Sequence, residues 1–243
     1  MQDEEDAYNS WSYQGSCESN NQVWLVGGLR DLEWEALNNV GAYSPGSNSW
    51  DISCPGLNKG RVYLAAVGNS KHIFALGGCS QTERIVFNNV ERLDPSGGTS
   101  WVNKASMPKA RVYGAAVIKG DFLYYIGGTT DIYGSRKTTG FWRYNIAQNR
   151  WDQTLKQLPV SLAGISAALA GNKIYMPGDY GTANTYVYDI ENNLWDKISP
   201  SNGIQPAQHY NCIAVENNIW RIGGIIRKAA SNAAIPDAFL VSR

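Results

Sequence analysis

The sequence predicts an all-β protein assembled from repeated four-stranded units. Three observations predict it. Glycine doublets recur at Gly27-Gly28, Gly77-Gly78, Gly127-Gly128 and Gly223-Gly224, each directly after a short apolar run (VWLV, IFAL, LYYI, IWRI). Tryptophans at Trp50, Trp101, Trp151 and Trp195 each follow an apolar anchor seven or eight residues earlier: Tyr43, Leu93, Tyr144 and Tyr188. Finally, RVYLAAVGNSKHIFALGG, from Arg61 to Gly78, is nearly restated as RVYGAAVIKGDFLYYIGG, from Arg111 to Gly128. Self-similarity at a fixed period is the signature of a repeat architecture.

Each element of the unit has a physical reason. The first strand is a run of small residues (YLAAV, YGAAV, GISAALA, NCIAV), suited to a crowded place where units converge. The second strand ends at the doublet, where the chain turns through a backbone conformation closed to residues with a Cβ. A degenerate doublet, Pro177-Gly178, fills the gap in the series after the run IYM. The third strand carries the Tyr or Leu, and a turn such as SPGSNS, DPSGGTS, NIAQNR or DIENNL separates it from the fourth, which begins at the Trp. Short runs bounded by turn residues are typical of antiparallel strands. Tyr and Trp supply flat surfaces for packing one sheet on the next. A lone four-stranded sheet cannot cover both its faces, and radial stacking of sheets solves this.

Composition narrows the function classes. The 243 residues include 21 basic and 21 acidic ones, so the formal charge is zero. That argues against nucleic acid or an anionic membrane as the main partner, and no apolar run has the length of a membrane span. The start, MQDEEDAYNS, is acidic without the apolar core of a signal peptide, and no N-x-[ST] sequon occurs, which together point to the cytoplasm. Cys17, Cys54, Cys79 and Cys212 are widely spaced, without CxxC or Cys/His ligand spacing. They read as free thiols, a Cys17–Cys212 bridge being the alternative.

The Gly doublet, the Tyr before a turn and the Trp at fixed distance resemble the kelch repeat, the best copy being Asn88 to Gly128. The resemblance runs from about Ser12 to Val241 and implies a β-propeller of five units, roughly 11–60, 61–110, 111–161, 162–207 and 208–243, forming a single domain. The fifth unit has only AFLVSR after its doublet, enough for one further strand. A closed ring in which DAYNSW supplies the missing outer strand is the favoured arrangement; a piece of a larger propeller is the alternative. Departures from the family pattern are Pro177-Gly178 and the lost Tyr/Trp half of the last unit.

No GxSxG, HExxH or P-loop spacing appears, and two histidines, His72 and His209, are too few to suggest a metal centre, so neither a metal nor a cofactor is expected. Attention falls on Arg61 and Arg111, which head the first strands of units two and three, at places corresponding to Trp11, Leu162 and Gln208 elsewhere. In a propeller such residues point into the central mouth, where two guanidinium groups would grip a carboxylate. Arg30, Arg84, Arg136 and Arg227 sit on loops after the doublets, with Trp34, Tyr133, Tyr180 and Tyr210 as aromatic walls and His209 at the start of a first strand. The competing reading gives Arg61 and Arg111 an acidic partner within the protein.

In kelch proteins that recruit substrates, arginines at these places hold acidic peptide motifs, so the resemblance implies a binding module for an acidic peptide or protein. A second class is an enzyme similar to sialic acid mutarotase, with an Arg on the carboxylate of an anionic sugar and Glu83 or Asp179 moving the proton. A third is a scaffold without a ligand.

Overall fold

Short apolar runs broken by Gly, Asn, Asp and Pro favour strand pairing between sequence neighbours, and the computed structural model shows that pairing throughout. It describes residues 11–30, 34–200, 204–216, 218–228, 231–234 and 238–242. The chain divides into two compact units, Met1–Val112 with Thr130–Tyr133, and Tyr113–Thr129 with Gly134–Arg243.

The first unit holds two antiparallel four-stranded sheets. One runs Gly15–Ser19, Gln22–Val26, Val40–Ser44, Ser49–Asp51. The other runs Ala65–Gly68, Ile73–Leu76, Val90–Leu93, Val102–Lys104. Alternate residues of a strand face opposite sides, so Trp24, Val26 and Ala42 of the first sheet meet Ile73, Ala75, Leu93 and Trp101 of the second in one core. The indole Nε1 of Trp101 donates to the Pro55 carbonyl at 2.8 Å, fastening the outer edge of the second sheet to the chain leaving the first.

The second unit repeats the plan. Its sheets are Ala115–Lys119, Phe122–Ile126, Phe141–Asn145, Arg150–Asp152, and Ala168–Ala170, Lys173–Pro177, Thr185–Asp189, Leu194–Ile198. A three-stranded sheet follows, Asn211–Val215, Asn218–Ile222, Ala238–Ser242. Its last strand is the one expected in AFLVSR. The DAYNSW segment expected to complete it falls mostly in residues 1–10, outside the described residues, and Trp11–Ser12 pairs with Leu29–Arg30.

The Tyr and Trp anchors are cross-strand neighbours. Tyr43 pairs with Trp50, Tyr144 with Trp151 and Tyr188 with Trp195, with ring centroids 5.2, 5.1 and 5.0 Å apart. Each tyrosine hydroxyl donates to an asparagine two residues before the Trp: Asn48 at 2.7 Å, Asn149 at 2.6 Å and Asn193 at 2.8 Å. All three asparagines have positive φ, a conformation Asn tolerates better than most residues. Where Leu93 replaces the tyrosine, the partner position holds Thr99 and the turn is one residue longer, so hydroxyl and acceptor are lost together.

One register differs from expectation. The second strand of the fourth unit ends at Pro177, as others end at Ile126 and Leu76, so the doublet positions belong to Gly178-Asp179 and not to Pro177-Gly178. A Cβ on Gly178 would lie 2.0 Å from the Thr182 carbonyl oxygen, which accounts for the glycine. All four cysteines are free thiols. Burial pushes the pKa of Cys17, Cys79 and Cys212 up to about 12.

Candidate functional site

The residue just ahead of each first strand adopts a left-handed backbone. These residues are Tyr13, Tyr63, Tyr113, Gly164 and His209, with φ between 54° and 64°. Four of the five carry a side chain in a region that disfavours it, a strain that persists only where neighbours enforce it. Backbone hydrogen bonds do so. In the first unit Tyr63 N–H donates to Tyr13 C=O at 2.9 Å. In the second, Gly164 N–H donates to Tyr113 C=O at 2.8 Å and His209 N–H to Gly164 C=O at 2.7 Å. The strain aims aromatic rings together. Tyr13 and Tyr63 lie 4.6 Å apart, and Tyr113 meets His209 edge-on at 5.9 Å. Part of the His209 ring meets solvent, but its surroundings displace enough water to hold its pKa below the ordinary imidazole value. The sequence shows these residues as a repeated aromatic after the arginine of RVY, a signal that an arginine-centred reading passes over.

The segments after the doublets fold back as short hairpins beside these residues. Leu29 bridges Ala36, Cys79–Ser80 pairs with Ile85–Val86, and Thr129 bridges Lys137. The same segments pair with the chain leading into the first strands: Arg30 opposite Trp11, and Cys79 opposite Val62. Arg30 and the half-exposed Trp34 therefore share one hairpin near Tyr13, and Arg84 sits at the tip of another near Tyr63. Both Trp34 and Arg84 have positive φ. In the second unit Arg136 is exposed on its hairpin, next to Lys137, whose ammonium binds the buried Asp179 carboxylate at 2.6 Å. Tyr133 is exposed and Tyr180 half-buried. The side chain of Arg227 lies outside the described residues.

Several candidates are corrected by their burial. Arg61 is 0% exposed. Its Nη2 donates to Glu91 Oε1, and its Nη1 to the carbonyls of Gly77 and Asn89 at 3.3 and 3.2 Å. The other oxygen of Glu91 accepts the Asn58 backbone N–H at 2.7 Å. Desolvation lowers the Arg61 pKa and the Glu91 charge opposes that shift. Arg61 thus turns into the sheet toward an acid thirty residues away and does not reach a mouth. Arg111 is 4% exposed and donates from Nη1 to the Ala110 carbonyl at 2.8 Å. The place of Glu91 in its sheet is taken by Trp142. Tyr210 is buried too, its hydroxyl donating to Pro177 C=O. It packs under Arg221, a buried arginine the sequence reading did not single out, whose guanidinium lies 5.6 Å from the ring. The position equivalent to Arg61 in the fifth unit is Ala207 and not Gln208, because Gln208 aligns with Val62 beside the doublet. Asp179 accepts from the N–H groups of Ala163 and Gly181 as well as from Lys137, so its carboxylate is taken up by the fold.

Among the candidate arginines whose side chains are described, those that meet solvent are Arg30, Arg84 and Arg136. Glu83 is exposed and lies 3.9 Å from Lys59. No group of three or more His, Cys, Asp or Glu that would hold a metal ion occurs among the described residues. Nor is any helix there long and apolar enough to cross a membrane.

Comparison with known proteins agrees with this architecture. No curated protein sequence matches the chain. Among solved structures, the one titled "Structure of YjhT" superposes with a TM-score of 0.76 at 16% identity, covering 95% of this chain and 81% of that one. At that identity the likeness concerns the fold, a propeller of four-stranded blades. The profile of the KLHDC2/KLHL20/DRC7 Kelch-repeats domain matches residues 14–224. With its recurring doublets, its paired Tyr and Trp rings and its succession of four-stranded sheets, the chain belongs to the kelch-repeat family.

Proposed function

We propose that this kelch chain is a binding module for an acidic peptide or protein segment, with Arg30 and Arg84 of the first unit as its charged contacts. The Tyr13–Tyr63 pair and Trp34 supply aromatic surface beside them. The observation that carries this reading is the placement of exposed arginines on hairpins that pair with the strained tyrosine segments. Strained residues gather at binding sites because the surrounding fold must hold them. Tyr, Trp and Arg are the residues that dominate contact energies. The second unit carries a related set in Arg136 with Tyr113 and His209.

The anionic-sugar reading has less support. Two arginines that could have met its carboxylate, Arg61 and Arg111, are buried, and Asp179, one of the two acids considered for the proton, is engaged in structural hydrogen bonds.

The test is selection from a displayed peptide library by the purified protein, with an Arg30→Ala/Arg84→Ala variant as control. Acidic sequences should be enriched by the native protein, and the variant should bind them at least about tenfold more weakly, a loss of about 1.4 kcal/mol. Enrichment shared equally by the variant would remove these arginines from the site.

A further inference from the structure

In each four-stranded sheet the residue before the Tyr or Leu anchor lies opposite the residue after the Trp. The pairs are Ala42 with Asp51, Arg143 with Asp152 and Val187 with Asp196. An aspartate thus recurs at this fourth-strand place in three sheets. In the second sheet the pair is Arg92 with Val102, and the carboxylate is missing.

The third sheet shows what that carboxylate does for an arginine. Asp152 Oδ2 accepts from Arg143 Nη2 at 2.7 Å, and its Oδ1 accepts the Thr154 N–H and hydroxyl at 2.9 and 2.7 Å. The second-strand neighbour of Arg143 is Tyr124, whose phenol lies beside the same guanidinium. In the second sheet all these partners are replaced. Phe74 stands for Tyr124, Val102 for Asp152 and Lys104 for Thr154. The arginine is kept, loses its acid and gains a second cation.

Alternate residues of a strand share a face, so Phe74, Val90, Arg92, Val102 and Lys104 lie on one face of the second sheet, with His72 at its edge. Arg92 and Lys104 are half-buried, and Val102 is 47% exposed. Neither cation forms an ion pair among the described residues. Burial, and then the Arg92 charge, lower the Lys104 pKa. His72 is half-buried too, and its Nδ1, shielded from water, has no hydrogen-bond partner among the described residues. Burial and the Arg92 charge hold the His72 pKa below its ordinary value; Lys104 adds to this and Asp94 opposes it. Asp94 is exposed, accepts the Ser96 N–H at 2.9 Å, and stands on the side of Arg92 away from Lys104. Like charges held together cost energy unless an anion lies between them.

We infer that Arg92 and Lys104, with His72 beside them, bind a dianionic tetrahedral oxyanion, a phosphate or sulfate group, at the place that Asp152 fills in the third sheet. One carboxylate answers one arginine there. Two cations over an apolar floor call for two negative charges on one compact group. The guanidinium offers a planar fork and the ammonium a point charge, and both suit phosphate oxygens. The site uses none of the residues proposed to contact an acidic peptide.

Calorimetric titration of the whole protein with inorganic phosphate tests this, at fixed ionic strength and with acetate as the monoanionic control. The native protein should bind phosphate at least about tenfold more tightly than acetate. An Arg92→Gln/Lys104→Gln variant should bind phosphate at least about tenfold more weakly than the native protein, as charge-assisted hydrogen bonds are lost. Val102→Asp restores the carboxylate that the other sheets carry; it should fill the site from within and weaken phosphate binding by a similar factor. Circular dichroism should show both variants folded, and Val102→Asp, at an exposed position, decides the matter alone if the double variant does not fold. A phosphoserine peptide bound as tightly as the free ion assigns the site to a phosphorylated segment, and a peptide refused while the ion binds assigns it to the free ion. Phosphate held no better than acetate overturns the inference, and so does phosphate binding that survives undiminished in either folded variant.

Discussion

Arg61 and Arg84 belong to the same repeat unit, and both were candidates to hold an anion, yet the fold uses them in opposite ways. Arg61 stands ahead of a first strand, where its side chain turns under the sheet and ends at Glu91, with the carbonyls of Gly77 and Asn89 accepting from its Nη1. Arg84 stands at a hairpin tip with its side chain in water. What separates them is their place in the fold. The position ahead of a first strand faces the interior, where the Glu91 charge offsets part of the desolvation of the Arg61 guanidinium; a hairpin tip leaves the side chain in water. Arg111, at the position of Arg61 but with Trp142 in the place of Glu91, is buried as well, so the position withdraws an arginine from solvent in both repeats.

This contrast is open to direct attack, beginning with the largest effect. Replacing Arg61 or Glu91 alone with Ala leaves one buried charge without its mate, and denaturant unfolding should show a loss of about 3–5 kcal/mol. Replacing both together with Met should cost clearly less than either single change, because no charge is then stranded. Equal losses in all three variants would mean that packing, and not the ion pair, is what Arg61 provides. Trp101→Ala should cost about 3–5 kcal/mol, since the ring is buried between sheets. Trp50→Ala should cost about 1 kcal/mol, the worth of its exposed ring contact with Tyr43. Similar losses for the two would contradict the difference in burial between Trp50 and Trp101.

Smaller effects sharpen the account. Tyr144→Phe removes the hydroxyl bond to Asn149 and should lower stability by about 1 kcal/mol, read from the shift of the unfolding midpoint. His209 has a folded-state pKa below its unfolded value of about 6.5. The unfolded chain therefore binds the proton first, and the contribution of His209 is complete above that value. It should fade as the pH falls from there toward the folded pKa. A His209→Gln variant should lack this component of the acid side of the stability profile; an unchanged profile would show that the ring is not withdrawn from water. Arg84→Ala should change stability by no more than about 0.5 kcal/mol, as for other surface substitutions.

The repeat was legible because its signals are local. A Gly doublet, a Tyr and a Trp at fixed distance specify strands, turns and their order, and the cross-strand Tyr43–Trp50, Tyr144–Trp151 and Tyr188–Trp195 pairs follow from spacing alone. The Asn two residues before the Trp was visible in NSW, NRW and NLW and needed only the recognition that the turn requires a left-handed residue. The fate of Arg61 was not legible, because Glu91 is thirty residues distant and nothing near either residue announces the pair. The slip at Pro177 arose because Asp179 fills a place that glycine holds elsewhere, making the wrong pair of residues look like the doublet. The tyrosine pair was hidden for a different reason. A positive φ on Tyr13 or Tyr63 is imposed by hydrogen bonds between successive units, and residue preference alone predicts the reverse.

The most direct measurement is calorimetric titration of a selected acidic peptide into three proteins: native, Arg30→Ala/Arg84→Ala, and Arg61→Met/Glu91→Met. The account predicts that affinity collapses in the hairpin variant and survives in the buried-pair variant. Affinity kept by the hairpin variant and lost in a folded buried-pair variant would return the binding site to Arg61 and contradict the central claim.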